Sequence, residues 1–302
     1  MSGYTVTGDW GTSRLRLFRI ENGVVTDRVV GPGIGGLVTS PAGALLNALA
    51  TWRKRGEPDA IHLCGMVGSR NGWIDVPYVD CPADVSGWRS GAAKIDLEGI
   101  PVTIMPGLAC TTPRGAPDVM RGEETQLFGA IVIAPPLRRG RHLIALPGTH
   151  SKWAMIEDER ITGFQTFLTG EVFALLRDHS ILTRAAAADS ESDDAGEDDG
   201  FDAGVARARD GDLLGSLFET RSAQLRAGRS STWALGFLSG LIIGSEIVGA
   251  VSAFAADHVG LIGDPALTAR YARGLAAHGH PTTSYDGDAC ALAGLALLET
   301  IE

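Results

Sequence analysis

Two short runs in this 302-residue chain combine residue types that bind phosphate. Asp9-Trp10-Gly11-Thr12-Ser13 closes a strand-like run. There Gly11 lets the backbone turn tightly and approach an anion, Thr12 and Ser13 supply N–H and O–H donors, and Asp9 can hold hydrated Mg2+. Gly148-Thr149-His150-Ser151 offers the same chemistry to another part of a polyphosphate. One Asp-x-Gly-Thr is an ordinary turn, whereas a pair of phosphate-directed turns is a far narrower signal. The chain has no GxxxxGK[ST] run, which excludes a P-loop enzyme. Gly31-Pro32-Gly33-Ile34-Gly35-Gly36 lacks dinucleotide-motif spacing and reads as a flexible loop at the rim of a substrate site.

The elements that must carry these turns repeat. Residues 6–20 and 143–156 superpose without a gap, Gly11 on Gly148, and each run goes on through a polar turn into another short strand. Two copies of strand, glycine turn and strand predict two related α/β domains. Between and after them, hydrophobic periodicity predicts helices over 42–55, 123–134, 171–180, 233–256, 266–278 and 289–299, with strands over 60–64, 102–105 and 259–262. Pro135-Pro136 and the basic residues that follow interrupt the pattern. That break divides the chain into domains of residues 1–137 and 138–302. Residues 185–202, alanines followed by acids and glycines, read as a mobile solvated loop.

Composition limits the classes of function. Apolar residues make up 44% and charged residues 21%, which fits a globular chain. Lys and Arg number 26 against 36 Asp and Glu, a net charge of −10 that disfavours a nucleic-acid partner. Cys64, Cys81, Cys110 and Cys290 lie far apart without zinc-ligand spacing and read as reduced thiols of a cytoplasmic protein. No secretion leader is expected. Residues 233–256 could span a bilayer by length, but Glu246 falls near their middle, so a buried helix of a soluble protein is the expectation rather than a membrane partner. Gly236, Gly240 and Gly244 strip one face of that helix and let another backbone approach.

Taken in order, the motifs resemble the 2-dehydro-3-deoxygalactonokinases, small sugar-acid kinases of the superfamily that joins sugar kinases to actin-like ATPases. They are GDWGTSRLR from Gly8, CGMVGSRNGW from Cys64, MPGL from Met105, MRGEETQLFGA from Met120, LPGTHSKW from Leu146 and FLTGE from Phe167. FLSGLIIGSEI from Phe237, LIGDPALTARY from Leu261 and YDGDACALAGLALL from Tyr285 complete the set, so the resemblance covers nearly the whole chain. It implies two ribonuclease-H-like α/β domains with mixed sheets flanked by helices. Nucleotide would lie in a cleft between the domains, with sugar acid and the first phosphate motif in the first and the rest of the nucleotide site in the second.

The resemblance also assigns roles. Asp9, Gly11, Thr12 and Ser13 match the first phosphate motif, and Gly148 and Thr149 the second. Gly263, Asp264 and Ala266 fall at the adenosine turn, where Asp264 replaces the second glycine common among sugar kinases. The general base of such kinases is an acid at the start of the helix linking the domains. Glu123 best fits that place, with Glu124 and Asp118 as rivals. A sugar acid needs a cation for its carboxylate: Arg121 can bind it bidentately, while Arg16 or Lys152 can neutralise phosphate. Ser69, Asn71 and Trp73 are candidate contacts to sugar hydroxyls. The expected reaction is Mg·ATP-dependent phosphorylation of 2-dehydro-3-deoxy-D-galactonate at its terminal hydroxyl, with Asp9 holding Mg2+ through water. Three rivals remain at this stage: a kinase for another sugar, an actin-like nucleotide switch, and a transcriptional sugar sensor, the last disfavoured because no helix-turn-helix precedes the first strand. Assembly into a homo-oligomer is left open.

Overall fold

The computed structural model describes residues 3–183 and 194–298. They form two compact units. The first holds the residues up to Arg141, Ile156–Phe164 and the segment from Gly287 onward, and the second holds His142–Met155 and Gln165–Asp286.

The chain opens with β1 (Thr5–Trp10), β2 (Arg14–Glu21), β3 (Val24–Pro32), α1 (Pro41–Arg53) and β4 (Ala60–Cys64). Next come β5 (Val79–Asp80), α2 (Val85–Ser90), β6 (Ala93–Leu97), β7 (Ile100–Ile104), β8 (Leu108–Thr111), β9 (Pro117–Met120) and α3 (Glu123–Ile133). Strands β1, β2, β3, β4, β6 and β7 make a sheet in the order β3-β2-β1-β4-β7-β6. It is mixed, since β1 pairs antiparallel with β2 but parallel with β4. β1 occupies the middle because its residues are buried on both faces, and Val6, Trp10, Leu15, Leu17, Trp52 and Ile61 join in one core. This central placement carries Asp9 to the carboxyl end of an interior strand.

The later elements are β10 (Arg141–Leu146), β11 (Ser151–Glu157), β12 (Arg160–Phe167), α4 (Thr169–His179), α5 (Asp194–Arg207), α6 (Leu213–Leu217) and α7 (Glu219–Ala227). They end with α8 (Ser231–Phe254), β13 (Val259–Gly263), α9 (Pro265–Ala277), β14 (Thr282–Asp286) and α10 (Gly287–Ala296). The sheet order is β12-β11-β10-β13-β14, so the predicted repeat of three strands around a glycine turn is present in both sheets.

Three expectations are corrected. A single boundary after residue 137 does not describe the units: the division falls at Arg141, and α10 belongs with the first unit. The cause is backbone-to-backbone packing of α10 on α3. A Cβ added at Gly294 would stand 1.9 Å from the Thr125 carbonyl oxygen, and one at Gly129 would stand 1.8 Å from that of Cys290. The acidic run is not a loop throughout. Residues 185–193 lie outside the described residues, but the rest of the run belongs to α5, whose Glu197 pairs with Arg270 and whose Asp198 and Asp202 pair with Arg273. Gly31–Gly36 is a structured turn rather than a flexible rim, for the Ile34 and Gly35 amides donate to the Gly11 and Thr12 carbonyls at 3.0 and 2.9 Å.

The long apolar helix α8 is mostly buried within the second unit. Its glycine stripe admits α5: a Cβ at Gly236 or Gly240 would stand 2.0 Å from the carbonyl oxygen of Glu197 or Phe201, and α5 answers with Gly200 and Gly204.

Candidate active site

In the first unit, Asp9, Arg16, Cys64, Arg121, Glu123 and Gln126 line a cavity of about 170 Å3. Asp9 arrives on β1 and Arg16 on β2, residues that face each other in the antiparallel register. The Arg16 guanidinium donates to Asp9 at 2.8 Å and to Asp288, at the start of α10, at 2.7 Å. Burial pushes the Asp9 carboxyl upward, against the pull of Arg16, and the nearby Glu123 charge adds to the rise.

Glu123 and Glu124 sit on the first turn of α3. Gly122 before them has φ +113°, a conformation that disfavours any residue with a Cβ, and it brings the chain within reach of Gly65. With no side chain on Gly122 to cap the helix, the two acids take amides instead: Arg121 N donates to Glu123 at 3.2 Å and Gly122 N to Glu124 at 2.7 Å. Glu123 faces the cavity. Glu124 is fully buried, and burial together with the Glu123 charge pushes its carboxyl up to about 8. Asp118 is apart from the cavity and caps the Val119 amide at 2.7 Å.

Arg121 is 8% exposed. Its guanidinium lies over the Tyr78 ring at 4.3 Å and donates through Nη2 to the Val76 carbonyl at 2.7 Å. Its Nε and Nη1 have no hydrogen-bond partner. Nη1 lies beside Gly68, so the Gly65–Gly68 turn touches Asp9 at one end and Arg121 at the other.

In the second unit, a cavity of about 600 Å3 collects Gly148, Thr149, Asp264 and Ala266. Asp264 caps α9, accepting from the Ala266 and Leu267 amides at 2.9 and 3.1 Å. The departure from a second glycine therefore has a structural reason: the acid anchors the helix that forms the wall. Gly263 precedes it at the end of β13 and does not itself line the cavity.

Other expected site residues are elsewhere. Gly11 spends its amide on the Arg14 carbonyl at 2.9 Å, and Thr12 and Ser13 are exposed at the hairpin tip. Ser69 donates to the Met66 carbonyl at 2.7 Å, Asn71 is exposed, and Trp73 packs against the first unit's core. Lys152 is buried in the second unit and donates to the His150 carbonyl at 3.1 Å. Sequence reasoning missed Asp288, Thr169, Gly170, Arg270 and Tyr271 as residues of these sites. All five belong to quoted motifs, but nothing in their spacing sets them beside a cavity.

The family model of the 2-keto-3-deoxy-galactonokinases matches residues 9–298. The chain belongs to this family. A curated relative from Rhizobium meliloti (strain 1021), provisionally named 2-dehydro-3-deoxygalactonokinase, is 36% identical over 302 residues, covering 97% of this chain and 96% of that protein. The 2-dehydro-3-deoxygalactonokinase of Escherichia coli (strain K12) is 33% identical over 98% of this chain and 97% of its own length. A crystal structure from Sinorhizobium meliloti, provisionally described as a 2-dehydro-3-deoxygalactonokinase, superposes with a TM-score of 0.88 at 36% identity, covering 98% of each chain. The two α/β units are thus the fold of a 2-keto-3-deoxy-galactonokinase, as the motifs implied.

Proposed function

We propose that the chain transfers the γ-phosphoryl group of ATP to the terminal C6 hydroxyl of 2-dehydro-3-deoxy-D-galactonate, giving the 6-phosphate and ADP, as a cytoplasmic enzyme of galactonate catabolism. Family membership carries the substrate class. The observation that carries the chemistry is the first unit's cavity, which sets the Glu123 carboxylate beside the Asp9–Arg16 pair and Arg121.

Glu123 acts as general base. It takes the proton of the C6 hydroxyl as the oxygen–phosphorus bond forms and the bond from phosphorus to the ADP oxygen breaks. Glu124, protonated near neutral pH, is unsuited to that task. Arg121 lines this cavity and offers its positive charge to the substrate carboxylate, and the desolvation of its unpartnered N–H groups favours an anionic acceptor over a neutral sugar. Arg16, held from both sides by Asp9 and Asp288, places a fixed positive charge where the phosphoryl group carries negative charge.

The second unit takes the nucleotide, with phosphates at Gly148 and Thr149 and the nucleoside towards Asp264 and Ala266. Mg2+ suits this set when held through water. Asp9 gives one oxygen to Arg16, and among the described residues no group of three acidic, His or Cys side chains could form a protein cage. Bound with ATP, the ion would neutralise phosphate charge. The test is the product: phosphorus NMR of a reaction with Mg·ATP and 2-dehydro-3-deoxygalactonate should show a phosphomonoester coupled to the C6 protons. A phosphate on another carbon would overturn the placement of the acceptor hydroxyl.

A further inference from the structure

Glu246 sits in α8, a long apolar helix, and is 3% exposed. A carboxyl group there is strongly unfavourable relative to an apolar side chain of the same size, unless its hydrogen bonds are met. They are met from three other elements. Trp153 on β11 donates to Oε1 at 2.6 Å, Tyr271 on α9 donates to Oε2 at 2.7 Å, and the hydroxyls of Thr169 on α4 and Ser151 on β11 also bond to the group. Ser151 and Tyr271 further share a bond of 3.0 Å.

These donors are not scattered. Thr169 and Tyr271 line the 600 Å3 cavity, and Ser151 follows Thr149 by two residues. Thr169 leads directly into the contact that fixes the second glycine turn: a Cβ at Gly170 would stand 2.4 Å from the Gly148 carbonyl oxygen, and Glu171 N donates to the Thr149 carbonyl at 3.0 Å. One buried carboxyl group therefore ties the turn, the start of α4 and the wall formed by α9 to α8.

We propose that Glu246 is a positioning residue for nucleotide binding, which acts through Thr169 and Tyr271 to hold the Gly148–Thr149 turn in the geometry that receives phosphate. The inference rests on the reading of this cavity as the nucleotide site. Exchanging the carboxyl group for an amide leaves one acceptor oxygen and adds an NH2 group facing Trp153, Tyr271, Thr169 and Ser151, so the turn and the α9 wall lose part of their common anchor while the first unit's cavity keeps all of its residues.

The test is a comparison of ADP affinity by calorimetry with steady-state kinetics, using Glu246→Gln, Thr169→Val and their double variant. Glu246→Gln should weaken ADP binding and raise the KM for ATP by about tenfold, with the KM for the sugar acid changed less than about twofold. If Glu246 works through Thr169, the double variant should lose much less than the product of the two single losses. Unchanged ADP affinity in folded Glu246→Gln, or an equal rise in both KM values, would overturn the proposal. Should that variant fail to fold, Tyr271→Phe removes only the bonds of that hydroxyl, to Glu246 and Ser151, and should weaken ADP by about threefold, and unchanged affinity there would equally overturn it. Failure of the wild-type protein to bind ADP at all would instead overturn the nucleotide reading on which the inference stands.

Discussion

Glu123 and Glu124 are neighbours in the chain, yet only Glu123 lines the cavity that holds Asp9 and Arg16. The helical turn sends Glu124 into the interior, where it accepts the Gly122 amide and meets no water. Burial pushes the Glu124 carboxyl up to about 8, and the fold thereby sets an interior acid apart from the carboxyl group that faces the cavity.

Exchange at these two positions should separate their roles. Glu123→Gln should lower kcat by roughly 10²-fold or more while leaving ADP affinity nearly unchanged. Glu124→Gln should keep kcat within about tenfold, since an amide can still accept from Gly122 and bond to Thr125. Wild-type turnover in the Glu123 variant would move the base elsewhere.

Glu124 also makes stability depend on pH. Its carboxyl ionises near 4.5 in a free chain and near 8 in the fold, so between those values the folded state keeps a proton that the unfolded chain has released. Its contribution to stability is therefore complete at the acid end of that window and is lost as pH rises through it. Thermal melts from about pH 5 to pH 9 should show a decline that is flatter in Glu124→Gln, and an equal decline in both would contradict the assignment.

Arg121 should be specific to the acid acceptor. Arg121→Lys keeps the charge but loses the planar guanidinium that stacks on Tyr78 and reaches Val76. The KM for the sugar acid should rise by about tenfold or more with little change in the KM for ATP, as read from paired titrations of the two substrates.

The crossing of α3 and α10 should tolerate no side chain. Gly294→Val would drive a branched group into the Thr125 carbonyl and should cost about 1–3 kcal/mol or more, lowering the melting temperature by several degrees. A melting temperature equal to wild type would show that the two helices can part without loss.

What the sequence disclosed follows from local physics. The strands around Gly11 and Gly148 and the start of α3 at Glu123 were legible because turn residues and hydrophobic periodicity act over a few positions. The pairing of Arg16 with Asp288 joins residues 272 apart, and the contact between α10 and α3 also joins distant parts of the chain, so neither leaves a local mark. The acids of α5 looked like a solvated loop because their partners, Arg270 and Arg273, lie on another helix. Ser69 and Lys152 are reasonable polar candidates, but the Ser69 hydroxyl donates to the Met66 carbonyl and the buried Lys152 ammonium to that of His150, which only the folded turns reveal. Glu246 was noticed only as an obstacle to a membrane span, since its acceptor role depends on three other elements.

The most direct test of the central claim is a coupled ADP-release assay of the wild-type protein with Mg·ATP against a panel of acceptors: 2-dehydro-3-deoxygalactonate, its gluconate epimer and neutral sugars. The account predicts turnover that depends on the sugar acid and is greatest with the galactonate form. Equal or greater turnover with a neutral sugar, or ADP release indifferent to any acceptor, would contradict it.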